Sequence, residues 1–225
     1  MAGKERKYIA FPVYPGVTPL DLAGPLTVLR NLALGTPYRT VVVGRRAEQV
    51  PTGARMGVVP AATFADVPEP WGVVVAGAGA ATPAATEDEE LLGYVRSAAR
   101  SAELVGSTGT GALVLAAAGL LAGRRAAVHW AWADQLESYG ATAVPDPWVE
   151  DGRFMTASGG AAGIDMMLAL LARLASPSAA RLAQLFMEYD PEPPFGPLDR
   201  TAGDPHLAAV VRGARPLPDG PGSRG

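Results

Sequence analysis

Short apolar runs alternate with helical patterns along this chain, and that alternation leaves it few folds. Residues 8–13, 40–43, 73–76, 104–105 and 126–128 are rich in Val, Ala and Ile and show no polar alternation. Runs of this kind read as strands buried on both faces. Between them lie segments with helical spacing. Thr18 is a good N-cap, Pro19 suits the first helical position and Asp21 falls in the first turn; Leu22, Leu26 and Leu29 carry the period to about residue 32. Residues 87–99 form an amphipathic pattern with acidic groups at its start, where the helix dipole favours them. Residues 112–121, a stretch up to residue 139, and residues 163–175 and 179–187 are read as further helices. Residues 57–60 read as a short edge strand, and 148–156 as a hairpin turned at Asp151-Gly152. The class is therefore α/β, with a mostly parallel sheet covered on both faces. Ligands in such folds sit beyond the carboxyl ends of the strands. That directs attention to three loops, at residues 14–18, 77–80 and 107–111.

The 225 residues, 48% of them apolar, suit one domain with a full core. We place that domain at residues 1–195 and read 196–225 as a Pro/Gly-rich tail, with a helical turn at 206–212 and a disordered last dozen residues. The net charge of −3 comes without long blocks of one sign, so neither nucleic acid nor an anionic membrane is expected as a partner. The first residues hold no apolar stretch suited to a signal peptide, and the most apolar run, 111–121, is too short to span a bilayer. There is no cysteine, which excludes disulfides, thiolate metal sites and thiol catalysis, and fits a cytoplasmic location. His129, Asp134 and Glu137 have helical spacing, but nothing completes a metal set, and no cofactor is expected.

The stretch Ser107-Thr108-Gly109-Thr110-Gly111 is a strand-to-helix turn of small residues. It can be a tight elbow that offers backbone N–H groups to an oxyanion, or a set of glycines that only lets a helix pack closely on the sheet. Gly109-Thr110-Gly111 and Gly77-Ala78-Gly79 also give G-x-G, but Val114 and Thr82 stand at the third glycine position, which weakens a dinucleotide reading. Such a reading predicts a coloured or fluorescent protein. Asp21 either caps its own helix or is a carboxyl at a pocket floor whose pKa burial raises.

Four stretches, taken together, resemble the isonitrile hydratase branch of the ThiJ/PfpI superfamily, a class I glutamine amidotransferase-like group. They are Thr18-Pro19-Leu20-Asp21-Leu22-Ala23-Gly24-Pro25; Thr110-Gly111-Ala112-Leu113 with Ala116-Ala117-Ala118-Gly119-Leu120-Leu121; Ala157-Ser158-Gly159 with Ala162-Gly163-Ile164-Asp165; and Met187-Glu188-Tyr189-Asp190-Pro191 with Pro193-Pro194-Phe195. The resemblance implies a flavodoxin-like three-layer sandwich, usually a homodimer, acting on a small molecule. It also implies an elbow cysteine flanked by an acid from the first helix and by a substrate-binding residue just after the cysteine. Carried across, the acid is Asp21, the following residue is Thr110, and the cysteine position is Gly109. Related transcription factors append a DNA-binding domain of roughly a hundred residues, for which this sequence leaves no room.

Glycine tolerates the strained elbow but brings no nucleophile, so a covalent intermediate at this position is excluded. Neither Ser107 nor Thr110 is expected to replace the thiol. The missing side chain is expected to clear space for a bulkier substrate, an intermediate of specialised metabolism. Asp21 and Thr110 are the catalytic candidates; Gly77, Ala78, Gly109, His129 and Trp130 are the substrate-binding ones, with amides near Ala78 and Thr110 as an oxyanion site. His129 either orients substrate or hydrogen-bonds in the core, and Trp130 and Trp132 either line the pocket or fill the core. The expected activity is that of a cofactor-free lyase, isomerase or cyclase using Asp21 as general acid/base for hydration, dehydration, isomerisation or cyclisation. The rival expectation is a non-catalytic binding protein that keeps the pocket.

Overall fold

The structure, a computed structural model, describes residues 6–33, 35–196, 198 and 205–213. Its strands and helices follow in the order β1 (Lys7–Pro12), α1 (Pro19–Leu29), β2 (Tyr38–Gly44), β3 (Val50–Pro51), β4 (Gly57–Val58), β5 (Ala62–Thr63), β6 (Gly72–Val75), α2 (Thr82–Thr86), α3 (Glu89–Ser101), β7 (Leu104–Thr108) and α4 (Gly111–Ala117). They continue with β8 (Arg125–Ala126), α5 (Ala133–Ser138), β9 (Thr142–Ala143), β10 (Trp148–Asp151), β11 (Phe154–Ala157), α6 (Gly160–Leu174), α7 (Pro177–Phe186) and α8 (Pro205–Val211).

Seven strands form one sheet in the order β10-β11-β7-β6-β1-β2-β5. All neighbours are parallel except the β10–β11 hairpin at one edge. Successive side chains of a strand point to opposite faces, so β1 feeds both layers. Ile9 and Phe11 pack with Val28, Leu29, Met166 and Leu170 of α1 and α6. Ala10 turns the other way, to the layer where Val95 and Ala98 of α3 and Leu113 of α4 are buried. The result is the flavodoxin-like three-layer sandwich that the sequence led us to expect. β1 is followed in the chain by β2 on one side and pairs with β6 on the other, so the strand order reverses there. The crevice beyond the carboxyl ends of β1, β6 and β7 is where such folds hold ligands.

Several elements differ from the sequence reading. The strand read at 126–128 is shorter and stays out of the main sheet: β8 pairs with β9 in a separate ribbon, and the Ala127 amide donates to the Thr156 hydroxyl at 2.8 Å. The edge strand read at 57–60 pairs with β3 instead, and the edge beyond β2 is β5. The helix read over 112–121 ends at Ala117. Gly119, at φ +79°, closes it: the Leu120 amide returns to the Leu115 carbonyl and the Gly119 amide to Ala116. The helical turn expected at 206–212 is α8, whereas the disorder expected for the last dozen residues lies outside the described residues. Among the described residues, no helix is long and apolar enough to cross a membrane.

Candidate active site

Three loops meet beyond the sheet, and backbone hydrogen bonds tie them together. The Thr18 amide donates to the Gly77 carbonyl at 2.7 Å, joining the loop after β1 to the loop after β6. The Tyr14 hydroxyl donates to the Ala76 carbonyl. The Gly109 amide donates to the Ala157 carbonyl at 2.9 Å, joining the loop after β7 to the end of β11.

Asp21 is fixed by a less obvious device. Pro25 sits four residues further along α1 and has no N–H, so the Asp21 carbonyl loses its intrahelical partner. The buried Thr108 hydroxyl at the end of β7 donates to that carbonyl at 2.8 Å. A proline in the first helix thus creates the acceptor by which the Asp21 backbone is held to the strand that carries the elbow. We expect Thr108→Val, which keeps the shape and removes the donor, to cost about 1–3 kcal/mol of stability, read by urea unfolding. A loss within experimental error would remove this hydrogen bond from the account.

The elbow itself has the expected strained form. Gly109 lies at φ +55°, which glycine accepts freely and other residues do not. The space beside it, however, is not open. A Cβ placed on Gly109 would lie 2.6 Å from Asp21 Oδ2, and one on Gly77 would also lie 2.6 Å from that oxygen. The carboxyl of Asp21 therefore fits between two glycines, in the room a side chain at residue 109 would need. This corrects the expectation that the missing side chain clears space for a bulkier substrate.

The Asp21 side chain is nearly enclosed, with the residue only 6% exposed. Desolvation raises its pKa from the ordinary 3.8 to about 6, and a hydrogen bond with the Thr18 hydroxyl offsets part of that rise. Tyr14 is also buried; desolvation first, and then the nearby Asp21 charge, push its pKa up, so it stays neutral.

The cavity in front of Asp21 measures about 260 Å³. Gly109, Thr110 and His129 line it with Asp21, so four of the residues picked from the sequence come together. Gly77 stands directly behind, against Asp21 and Thr110. Two of the sequence-based assignments change. The Ala78 amide donates to Thr110 Oγ1 at 2.9 Å and the Gly79 amide does so at 3.2 Å, so the Ala78 amide is already spoken for and is not an oxyanion donor. Trp130 lines a neighbouring groove with Asp134 and Glu137, and Trp132 forms the cavity wall in its place.

Burial lowers the pKa of His129, keeping it neutral at neutral pH. Its Nδ1 accepts the Ala131 amide at 3.3 Å, which places the ring proton on Nε2. Thr82 adds a 2.6 Å hydroxyl contact to Thr110 that no sequence signal singled out. Ser107 is fully buried in β7, its hydroxyl without a partner among the described residues, and it takes no part in the cavity lining. Among the described residues, no group of three His, Cys, Asp or Glu is placed to hold a metal ion.

Residues 7–173 match the model of the DJ-1/PfpI family. The chain belongs to the DJ-1/PfpI family. Within it, the chain is 41% identical to the isonitrile hydratase of Pseudomonas putida over 207 residues, covering 92% of this chain and 88% of that enzyme. A ThiJ/PfpI family protein from Pseudomonas syringae superposes with a TM-score of 0.82 at 32% identity, covering 93% of this chain and 88% of that one. A shorter match, 42% over 92 residues, covers 40% of this chain and 27% of the transcriptional regulator CdhR of Pseudomonas aeruginosa. This DJ-1/PfpI member has no cysteine anywhere, which agrees with glycine standing at the elbow.

Proposed function

We propose that the protein is an isonitrile-hydratase-like enzyme that moves protons with the Asp21 carboxyl and forms no covalent intermediate. The observation that carries this reading is the position of that carboxyl, set between Gly77 and Gly109 with its oxygen in the room of an elbow side chain. The identity to an isonitrile hydratase over nearly the whole chain supports the reaction class.

Isonitrile hydration can proceed on these groups with all atoms balanced. Protonated Asp21 gives its proton to the terminal carbon of R–N≡C, leaving a nitrilium ion and a carboxylate. The carboxylate takes a proton from a water as its oxygen bonds to the nitrilium carbon. The resulting R–N=CH–OH tautomerises to the N-substituted formamide, and Asp21 is again protonated. An acid with a pKa of about 6 keeps a usable protonated fraction near neutrality, which an ordinary carboxyl does not. Thr110 Oγ1 accepts the Ala78 and Gly79 amides, which fills its two acceptor sites, and lies 2.6 Å from the Thr82 hydroxyl, so it ties the loop after β6 to the start of α4 at the cavity wall. The Nε2–H of His129 is a neutral donor at the cavity wall. The same proton shuttle serves dehydration, isomerisation or cyclisation of a neutral metabolite.

The test is incubation with cyclohexyl isocyanide and detection of N-cyclohexylformamide. Formation above the uncatalysed rate, lost in Asp21→Asn, is the expected result. The missing nucleophile favours a second reading, a binding protein. Tight binding of the isocyanide with no formamide formed would establish that reading instead.

A further inference from the structure

α8 is built into this site. Ala208 is buried in the same cluster as Ala131 and Trp132, and the Arg212 Nε–H donates to the Ala131 carbonyl. Just past the C-terminal end of the helix, a Cβ on Gly213 would lie 3.2 Å from Ala80, in the loop after β6. The C-terminal end of the helix thus touches both the segment carrying His129 and Trp132 and the loop beside Gly79, and Val211 at that end lines the cavity while remaining 40% exposed. Val211 shares the lining with Leu20, Trp132 and the Gly159-Gly160 pair, and the polar groups of the cavity are Thr18, Asp21, Thr110 and His129. Among the described residues, no lysine or arginine lines it. A buried carboxyl with a raised pKa and no cation to offset a second negative charge disfavours carboxylate or phosphate ligands. The volume lies near the lower end of ligand pockets, which run from about 300 Å³ upward.

We propose that α8 is the outer wall of the substrate site, and that Val211 with Trp132 and Leu20 selects a compact, neutral substrate with an apolar body and one polar end. This rests on the reading of the cavity as the substrate site. It adds Val211 as a specificity-determining residue.

The test is titration of the full chain with methyl, cyclohexyl and adamantyl isocyanide and with isocyanoacetate, comparing wild type, Val211→Ala and Val211→Trp. Removing or adding this much apolar wall is worth about 10-fold or more in discrimination. Val211→Trp is expected to weaken cyclohexyl isocyanide by about that factor while methyl isocyanide changes little, and Val211→Ala to favour adamantyl isocyanide. Isocyanoacetate is expected to bind weakest of the four. Affinities that ignore residue 211, or tightest binding of isocyanoacetate, would overturn the proposal.

Amide hydrogen exchange of residues 129–132 in Arg212→Glu decides the wall without any ligand. Faster exchange than in the wild type is expected, and unchanged exchange overturns the docking of α8. If the wild type binds none of the isocyanides, the proposed substrate class and the isonitrile reading both fail, and exchange still decides the wall.

Discussion

Asp21→Asn is expected to abolish turnover and, at the same time, to make the protein more stable. General acid–base catalysis by one positioned group contributes about 10²–10⁴-fold, and an amide cannot supply it. The stability effect follows from burial. In the native state Asp21 holds its proton up to about pH 6, and in the unfolded chain it releases it near 3.8. Native stability therefore falls as pH rises through this window, and the whole difference is present above it. At 1.36 kcal/mol per pH unit the cost is about 3 kcal/mol at pH 8. The neutral asparagine escapes that cost. The variant should match the wild type near pH 4 and exceed it by about 2–3 kcal/mol at pH 8, measured by urea unfolding at both pH values. Equal stability at pH 8 would mean that the carboxyl is not desolvated. An active asparagine variant would mean that it is not the proton carrier.

Gly109→Ala is the second large effect. The new methyl group would arrive 2.6 Å from Asp21 Oδ2, closer than contact allows, so the carboxyl must swing away. A left-handed backbone at alanine adds about 1–3 kcal/mol of strain. Because a shift of about 1 Å in a reacting group can cost about 100-fold in rate, we expect activity to fall by that factor or more while the protein still folds. Gly109→Cys meets the same clash and the same strain, so a thiol at residue 109 needs a rearranged Asp21 before it can act. Full activity in Gly109→Ala would show that the carboxyl does not work from the place it occupies.

These two residues also show what could be read in the sequence and what could not. The α/β class came from unbroken apolar runs such as Val73 to Ala76, because strands buried on both faces leave no polar alternation. The crevice followed from topology, and Asp21, Gly109, Thr110 and His129 do share one cavity. The expectation of an open space at Gly109 failed because a sequence does not show where a neighbouring carboxyl turns once a side chain is absent.

Trp132 and not Trp130 meets the cavity because two residues along a 3₁₀ turn change the face that a ring presents, and sequence spacing alone does not resolve that turn. The engagement of the Ala78 amide is invisible in sequence because its acceptor, the Thr110 hydroxyl, is 32 residues away. One missed feature did leave a signal. Pro25, four residues after Asp21, announces a carbonyl without its helical partner, and Thr108 is the residue that answers it. The role of Val211 left none, since its place at the cavity depends on α8 docking against residues some eighty positions earlier in the chain.

The most direct test of proton transfer by Asp21 is the pH dependence of kcat/KM for cyclohexyl isocyanide hydration by the wild-type protein. Tyr14 stays neutral throughout, burial holds His129 below its ordinary range, and Asp21, raised to about 6, is the cavity acid that loses its proton as the pH rises through that value. The account predicts N-cyclohexylformamide formation with kcat/KM highest below about pH 6 and falling roughly tenfold per pH unit above it, as the protonated acid is lost. A rate that is flat across pH 5–8, or that rises through pH 6, would contradict it.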